Sequence, residues 1–229
     1  ELGVRGAAEL PEDRDNLAWQ AVELFCRHLG VSGRLQIVIE KRIPTGAGLG
    51  GGSSDAMAVL AACNRLFASD LGDDDLEALG AEIGSDVPFF ARGGTQLARG
   101  RGTTLTRLPN LNRVWFTVLK PTFGMATGGV YEALKMGLTV RSPAANLQVI
   151  KPLLATFPAR PWFGYNRLEE VVLPQYPELS RLLMTLRDAS PVAMMTGSGT
   201  AVFGVFRHRE QGEQLIQDLQ PKLEFAQTV

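Results

Sequence analysis

The stretch Pro44-Thr45-Gly46-Ala47-Gly48-Leu49-Gly50-Gly51-Gly52-Ser53-Ser54 puts five glycines into the seven positions 46–52. Before it runs Leu35-Gln36-Ile37-Val38-Ile39-Glu40, a β-branched and mostly alternating segment that predicts a strand. After it, the spacing of Met57, Leu60, Cys63 and Phe67 predicts a helix reaching about residue 68, with Ser53 or Ser54 able to cap it. Glycine reaches positive φ without steric cost and lets backbone come close to a ligand, so consecutive N–H groups can converge on an anion. The start of the following helix adds its own partial positive charge. Strand, glycine loop and helix start together predict a phosphate site. The competing reading is a free turn, which would be entropically wasteful at this length inside a compact domain.

The kind of phosphate binder is decidable in part. Gly46-Ala47-Gly48-Leu49-Gly50-Gly51 formally satisfies GxGxxG, and Asp70 falls near the place of a dinucleotide fold's ribose-binding acid. That acid should end a second strand, whereas Ser69-Asp70-Leu71-Gly72-Asp73 reads as a loop between helices. A P-loop needs Gly-Lys-Ser/Thr, and Gly52 is followed by Ser53. Neither the HRD nor the DFG signature of protein kinases occurs.

Working outward, 229 residues allow one large α/β domain or two small lobes. With 45% hydrophobic and 21% charged residues the composition is that of a globular chain. The 23 basic residues nearly cancel the 24 acidic ones, which argues against a polyanion-binding surface and hence a nucleic-acid partner. Glycine, at 25 residues, exceeds the roughly 7% of average usage and must serve particular backbone positions. Cys26 and Cys63 sit in apolar helical patterns without CxxC spacing, and His28 and His208 are isolated. Both patterns argue against a disulfide framework or a transition-metal site and favour core thiols in a reducing compartment. No run of 18 apolar residues and no leader is present, so the expected setting is cytoplasmic, without a membrane. Glu1, in place of Met, opens a loop-like stretch, which suggests a trimmed or partial chain.

A first helix is predicted over 15–29, capped by Asp15 and stopped by Gly30. Asp73-Asp74-Asp75 acidifies the first turn of another helix, which Gly84 ends. Short strands follow near 95–98 and 103–108, and Pro109-Asn110-Leu111-Asn112 is the expected boundary between lobes 1–110 and 111–229. Beyond it a strand over 114–119, helices over 130–136, 145–156, 166–173 and 179–187, a strand over 201–206 and a helix over 210–219 complete an α+β pattern.

Pro-x-Gly-x-Gly-Leu-Gly leading into Ser-Ser-x-Ala, over 44–56, resembles the second motif of the galactokinase, homoserine kinase, mevalonate kinase and phosphomevalonate kinase superfamily. Gly50-Gly51-Gly52, with Lys41-Arg42-Ile43-Pro44 before it, Gly84-Ser85-Asp86-Val87-Pro88-Phe89-Phe90 after it and Met195-Thr196-Gly197-Ser198-Gly199-Thr200 later, narrows the resemblance to the 4-diphosphocytidyl-2-C-methyl-D-erythritol kinases. It runs from Asp15-Asn16-Leu17 almost to the C-terminus. The resemblance implies a ribosomal-S5-domain-2-like N-terminal ATP-binding lobe and a ferredoxin-like C-terminal lobe. It also implies ATP- and Mg²⁺-dependent phosphorylation of the 2-hydroxyl of 4-diphosphocytidyl-2-C-methyl-D-erythritol, in non-mevalonate isoprenoid precursor biosynthesis.

From the residues alone, Asp86 reads equally as a helix cap and as a catalyst. The resemblance makes it the family's base. Pro44, Thr45, Gly46, Ala47, Gly48, Leu49, Gly50, Gly51, Gly52, Ser53 and Ser54 become the triphosphate cradle, and Ser53 or Ser54 can also ligate Mg²⁺. Asn16 and Lys41 resemble residues near the adenine, although a cap and a surface lysine are the plain alternatives. Thr127 and Tyr131 match positions bordering the cytidine, where an aromatic ring can stack on the base. Gly197, Ser198 and Gly199 resemble the third superfamily motif behind the phosphate site; on their own they read as a tight turn. Asn166-Arg167-Leu168-Glu169 resembles the family's Asn-Asp-Leu-Glu and reads as a structural helix, with Arg167 departing in packing or surface charge.

In this family the aspartate works with a lysine from a Pro-Ala-Lys-Leu-Asn-like segment that the 229 residues do not contain. The expectation is therefore a partial copy of the kinase, weakly active or inactive by itself. The alternatives are a catalytically impaired nucleotide-binding fragment, a mevalonate- or homoserine-type kinase, against which the triple glycine and Gly-Ser-Asp-Val-Pro argue, and more remotely a dinucleotide oxidoreductase. Neither metal ligands nor an oligomeric state are assigned.

Overall fold

A computed structural model describes residues 1–7, 9–111, 114–125, 130, 166–219 and 223–229. They fall into two units, Glu1–Ile43 with Gly50–Leu108, and Pro44–Leu49 with Pro109–Val229.

In the first unit, β1 (Leu2–Arg5) pairs in parallel with β2 (Ile37–Glu40), in the register Leu2↔Ile37 to Arg5↔Glu40. The expected loop at the start is thus a strand. Four residues interrupted by Gly3 carry too little pattern to show it, and the partner that satisfies their backbone lies 35 positions away. Helix α1 (Leu17–Leu29) buries Ala18, Ala21, Leu24 and Phe25. Its cap is Asn16 rather than the expected Asp15, the side-chain oxygen accepting from the Ala18 N–H at 3.0 Å. Gly30, left-handed at φ 65°, ends it.

Helix α2 (Gly51–Leu66) lays Ala56, Met57, Leu60 and Cys63 against α1 and against α3 (Asp73–Ile83), which contributes Leu76 and Leu79. Phe25 and Leu60 are fully buried, each contributing about 1.5–3 kcal/mol of hydrophobic stabilisation. Val87 joins the same core and seats the turn that leads into the short helix α4 (Phe89–Arg92). Arg92 bridges Asp73, Asp74 and Glu77, fastening α4 to α3. An antiparallel hairpin of β3 (Gln96–Arg99) and β4 (Thr104–Arg107) follows.

The second unit is built on an antiparallel sheet ordered β6-β7-β5-β8, with β5 Trp115–Pro121, β6 Ala193–Met195, β7 Val202–Phe206 and β8 Leu223–Thr228. Helices α5 (Glu169–Gln175) and α6 (Pro177–Ala189) supply Val172, Leu179, Leu183 and Leu186 to a core shared with Leu119, Met195, Val202 and Phe206. Helix α7 (Arg209–Leu219) precedes β8. Lys120 is buried in β5 and paired with Glu224 of β8, as a buried ammonium requires. Of the helices expected over 130–136 and 145–156, all but the buried Val130 lies outside the described residues.

Candidate functional site

The glycine loop Pro44–Leu49 belongs with the second unit because it is bonded to the loop joining β6 and β7. Thr196 Oγ1 donates to the Ala47 carbonyl at 2.6 Å, and the Thr200 and Ala201 N–H groups donate to the Gly46 and Ala47 carbonyls, each at 3.2 Å. Ala47 is buried by these contacts. Gly48 stands at φ +71°, and a Cβ there would lie 2.2 Å from the Thr196 carbonyl oxygen. Only glycine fits that position, on both conformational and steric grounds. The stretch Gly197-Ser198-Gly199, expected behind the first glycine motif, is thus part of the loop joined to it. The carbonyls of Gly46 and Ala47 are both committed to this neighbour.

In the first unit the same glycine run becomes the start of α2. Gly50 takes the cap position in the left-handed region (φ 70°, ψ 18°) and no side chain caps the helix. A Cβ on Gly50 would sit 3.0 Å from Cζ of Phe90. Ser53 and Ser54 lie in the first turn instead of at the cap, and the first helical bond is from the Ser54 N–H to the Gly50 carbonyl at 2.9 Å. The N–H groups of Gly51, Gly52 and Ser53 precede that bond and are the donors an α-helix leaves over at its start. An uncapped helix start with no acid in its first turn is chemically suited to a phosphate.

Asp86 occupies the turn between α3 and α4 and is exposed, while Val87 beside it is fully buried. Among the described residues no hydrogen bond or ion pair engages its carboxylate, so it is free to accept a proton or a donor from a ligand. Gln96 secures the far end of α4, donating to the Phe89 and Gly93 carbonyls at 2.9 and 3.0 Å.

The two residues matched to the adenine have structural work of their own. Asn16 caps α1 and also donates to the Pro11 carbonyl at 2.8 Å. Lys41 is not the surface lysine of the plain reading: its side chain is 5% exposed and its Nζ lies 2.6 Å from Asp55 Oδ2. Asp55 had no signal of its own in the sequence beyond an acid one turn into α2. Thr127 and Tyr131 lie outside the described residues. Asp70 adopts φ 51° in the α2–α3 loop and ends no strand, against a dinucleotide-binding fold. Burial, with Cys26 adding to it, pushes the Cys63 thiol up to about 11, so it is protonated at neutral pH and no nucleophile. Among the described residues no group of three or more His, Cys, Asp or Glu side chains is placed to hold a metal.

Comparison with known proteins finds relatives along most of the chain. The GHMP kinases N terminal domain matches residues 16–94 and the GHMP kinases C terminal domain matches 155–223. The 4-diphosphocytidyl-2-C-methyl-D-erythritol kinase of Gloeobacter violaceus is 42% identical over 94% of this chain and 74% of its own length. That of Pelotomaculum thermopropionicum is 40% identical over 93% of this chain and 75% of its own. A crystal structure of a 4-(cytidine 5'-diphospho)-2C-methyl-D-erythritol kinase superposes with a TM-score of 0.77 at 33% identity, covering all of this chain and 81% of that one.

The chain belongs to the 4-diphosphocytidyl-2-C-methyl-D-erythritol kinase family. It has the α+β fold of the wider superfamily: a homoserine kinase from Cytophaga hutchinsonii superposes with a TM-score of 0.74 over all of this chain, at 17% identity, a likeness of fold alone. The N-terminal family match begins at the Asn16 cap and takes in Lys41, the glycine run and Asp86. The level of identity to this kinase family displaces the mevalonate- and homoserine-type readings left open above.

Proposed function

We propose that this protein transfers the γ-phosphoryl group of ATP to the 2-hydroxyl of 4-diphosphocytidyl-2-C-methyl-D-erythritol, in the cytoplasm, for isoprenoid precursor synthesis. The observation that carries the proposal is the glycine run that leaves Gly48 no room for a side chain and ends in a helix start without a cap. Residues 1–110 form the ATP-binding lobe in this reading and 111–229 the C-terminal lobe.

Backbone N–H groups along 46–52 and the start of α2 hold the triphosphate, and the Ser53 or Ser54 hydroxyl donates to it or reaches Mg²⁺. Mg²⁺, when bound, would be held by the nucleotide's phosphate oxygens together with the Ser53 or Ser54 hydroxyl. Its charge offsets that of the phosphates during transfer. Asn16 and Lys41 border the adenine; the Lys41–Asp55 pair leaves that wall nearly neutral. Thr127 and Tyr131 border the cytidine. Asp86, with its carboxylate uncommitted, accepts the proton of the attacking hydroxyl while that oxygen bonds to the γ-phosphorus and ADP departs. Phosphoryl transfer passes through a loose transition state, so positioning and charge neutralisation supply most of the acceleration and the base a smaller share.

The test is transfer of labelled γ-phosphate to this alcohol, with mevalonate and homoserine as control acceptors. Replacing the base, Asp86→Asn, is expected to lower kcat about 10²- to 10⁴-fold with little change in KM for ATP. Nucleotide bound without any transfer by the unaltered chain would instead identify a nucleotide-binding module.

A further inference from the structure

Behind the loop that backs the phosphate glycines lies a polar clasp. Asn166 Nδ2 donates to the Met195 carbonyl at 3.0 Å and to the Gly197 carbonyl at 2.5 Å, while its Oδ1 accepts from the Leu168 N–H at 3.0 Å. Glu169 Oε1 accepts from the Met195 N–H at 2.8 Å, and its Oε2 lies 2.7 Å from Arg187 Nη2. Met195 is therefore held at both backbone groups and Gly197 at its carbonyl. Between them sits Thr196, whose hydroxyl reaches Ala47 and whose carbonyl closes over Gly48.

The Glu169 side chain is 11% exposed, and both of its oxygens are committed. A nearly buried carboxylate is costly to desolvate, and an apolar residue of similar volume would serve packing as well or better. What an apolar residue cannot do is accept the Met195 N–H. Arg187 supplies the counter-charge from α6 and is itself half exposed. Arg167, the position that departs from the family's tetrapeptide, lies between the two clasping residues and leaves both in place.

We infer that Asn166 and Glu169 are positioning residues for the phosphate loop, holding Thr196 where it fixes Ala47 and Gly48, with Arg187 orienting Glu169. The inference rests on the kinase reading above for what the loop binds. It also gives the Asn-Arg-Leu-Glu segment a role that helix packing alone does not.

The measurement is the Kd of the full chain for ATP with Mg²⁺, by calorimetry, with the Tm of each variant recorded alongside. Asn166→Ala and Glu169→Ala are expected to weaken ATP about tenfold or more, since each leaves a backbone group of the supporting loop unpaired. Glu169→Gln, which keeps an acceptor for Met195, should stay within about threefold of the unaltered chain, and Arg187→Met should fall between. If Glu169→Ala fails to fold, Asn166→Ala and Glu169→Gln carry the test. An Asn166→Ala protein that binds ATP as the unaltered chain does overturns the positioning role, whatever its Tm. A Glu169→Gln protein as weak as Glu169→Ala overturns the assigned bond to Met195. An unaltered chain that does not bind ATP overturns the kinase reading itself, and this inference with it.

Discussion

Helices α2 and α3 follow one another in the same unit, pack on the same core and each start at a glycine, yet their starts are opposites. Helix α3 carries Asp73, Asp74 and Asp75 in its first turn, and Asp75 accepts the Gly72 N–H at 2.9 Å. Helix α2 carries no acid in its first turn and no side-chain cap. A protein stabilises a helix start with its own carboxylates when that start has only a structural duty. Where the start is kept bare, as at α2, its leftover N–H groups stay available to an anion from outside, as the proposed function requires. Helix α1, whose first turn also lacks an acid, is closed by the Asn16 side chain instead.

This contrast can be broken or sharpened by substitution. The largest effect is expected from Gly48→Ala, which puts a methyl group 2.2 Å from the Thr196 carbonyl in a left-handed conformation. The loop must leave its support, and ATP affinity should fall below detection in calorimetry, with a lower Tm. Next comes Gly52→Asp, which gives α2 the kind of first turn α3 has; its Cβ meets nothing closer than 3.6 Å. ATP binding should weaken more than tenfold while stability rises by about 0.5–1 kcal/mol in urea unfolding, from the dipole and the lost glycine. Stability and affinity moving the same way would refute the contrast. Smallest is Asp75→Ala, which should cost about 0.5–2 kcal/mol of stability and leave the Kd for ATP unchanged.

What was legible in the sequence follows the range of the interactions. The strand, the glycine run and helices α1 to α3 are written in local periodicity and punctuation, and Gly30 and Gly84 end their helices as read. The α1 cap was misread by one position because Asp15 and Asn16 are both good caps and only geometry chooses between them. Strand β1, the Lys41–Asp55 pair and the clasp of Asn166 and Glu169 on Met195 and Gly197 left no trace, since they join segments from 14 to 35 positions apart. For the candidate site, the residue types were readable and the support was not. A glycine run announces itself by type, and Asp86 needed its flanking motif to read as more than a cap; a carboxylate turned inward onto a loop looks in sequence like any helix surface acid.

The buried Lys41–Asp55 contact has one further consequence. Lys41 stands three residues before the glycine loop and Asp55 just past the first turn of α2 beyond it, so the 2.6 Å bond between them closes a ring that contains the whole loop. A chain tied at both ends has already lost most of the freedom that a ligand would otherwise have to take from it. Screened little by salt because Lys41 is so deeply placed, the tie acts as a cross-link made without covalent chemistry, and the loop meets its ligand as a preformed hoop.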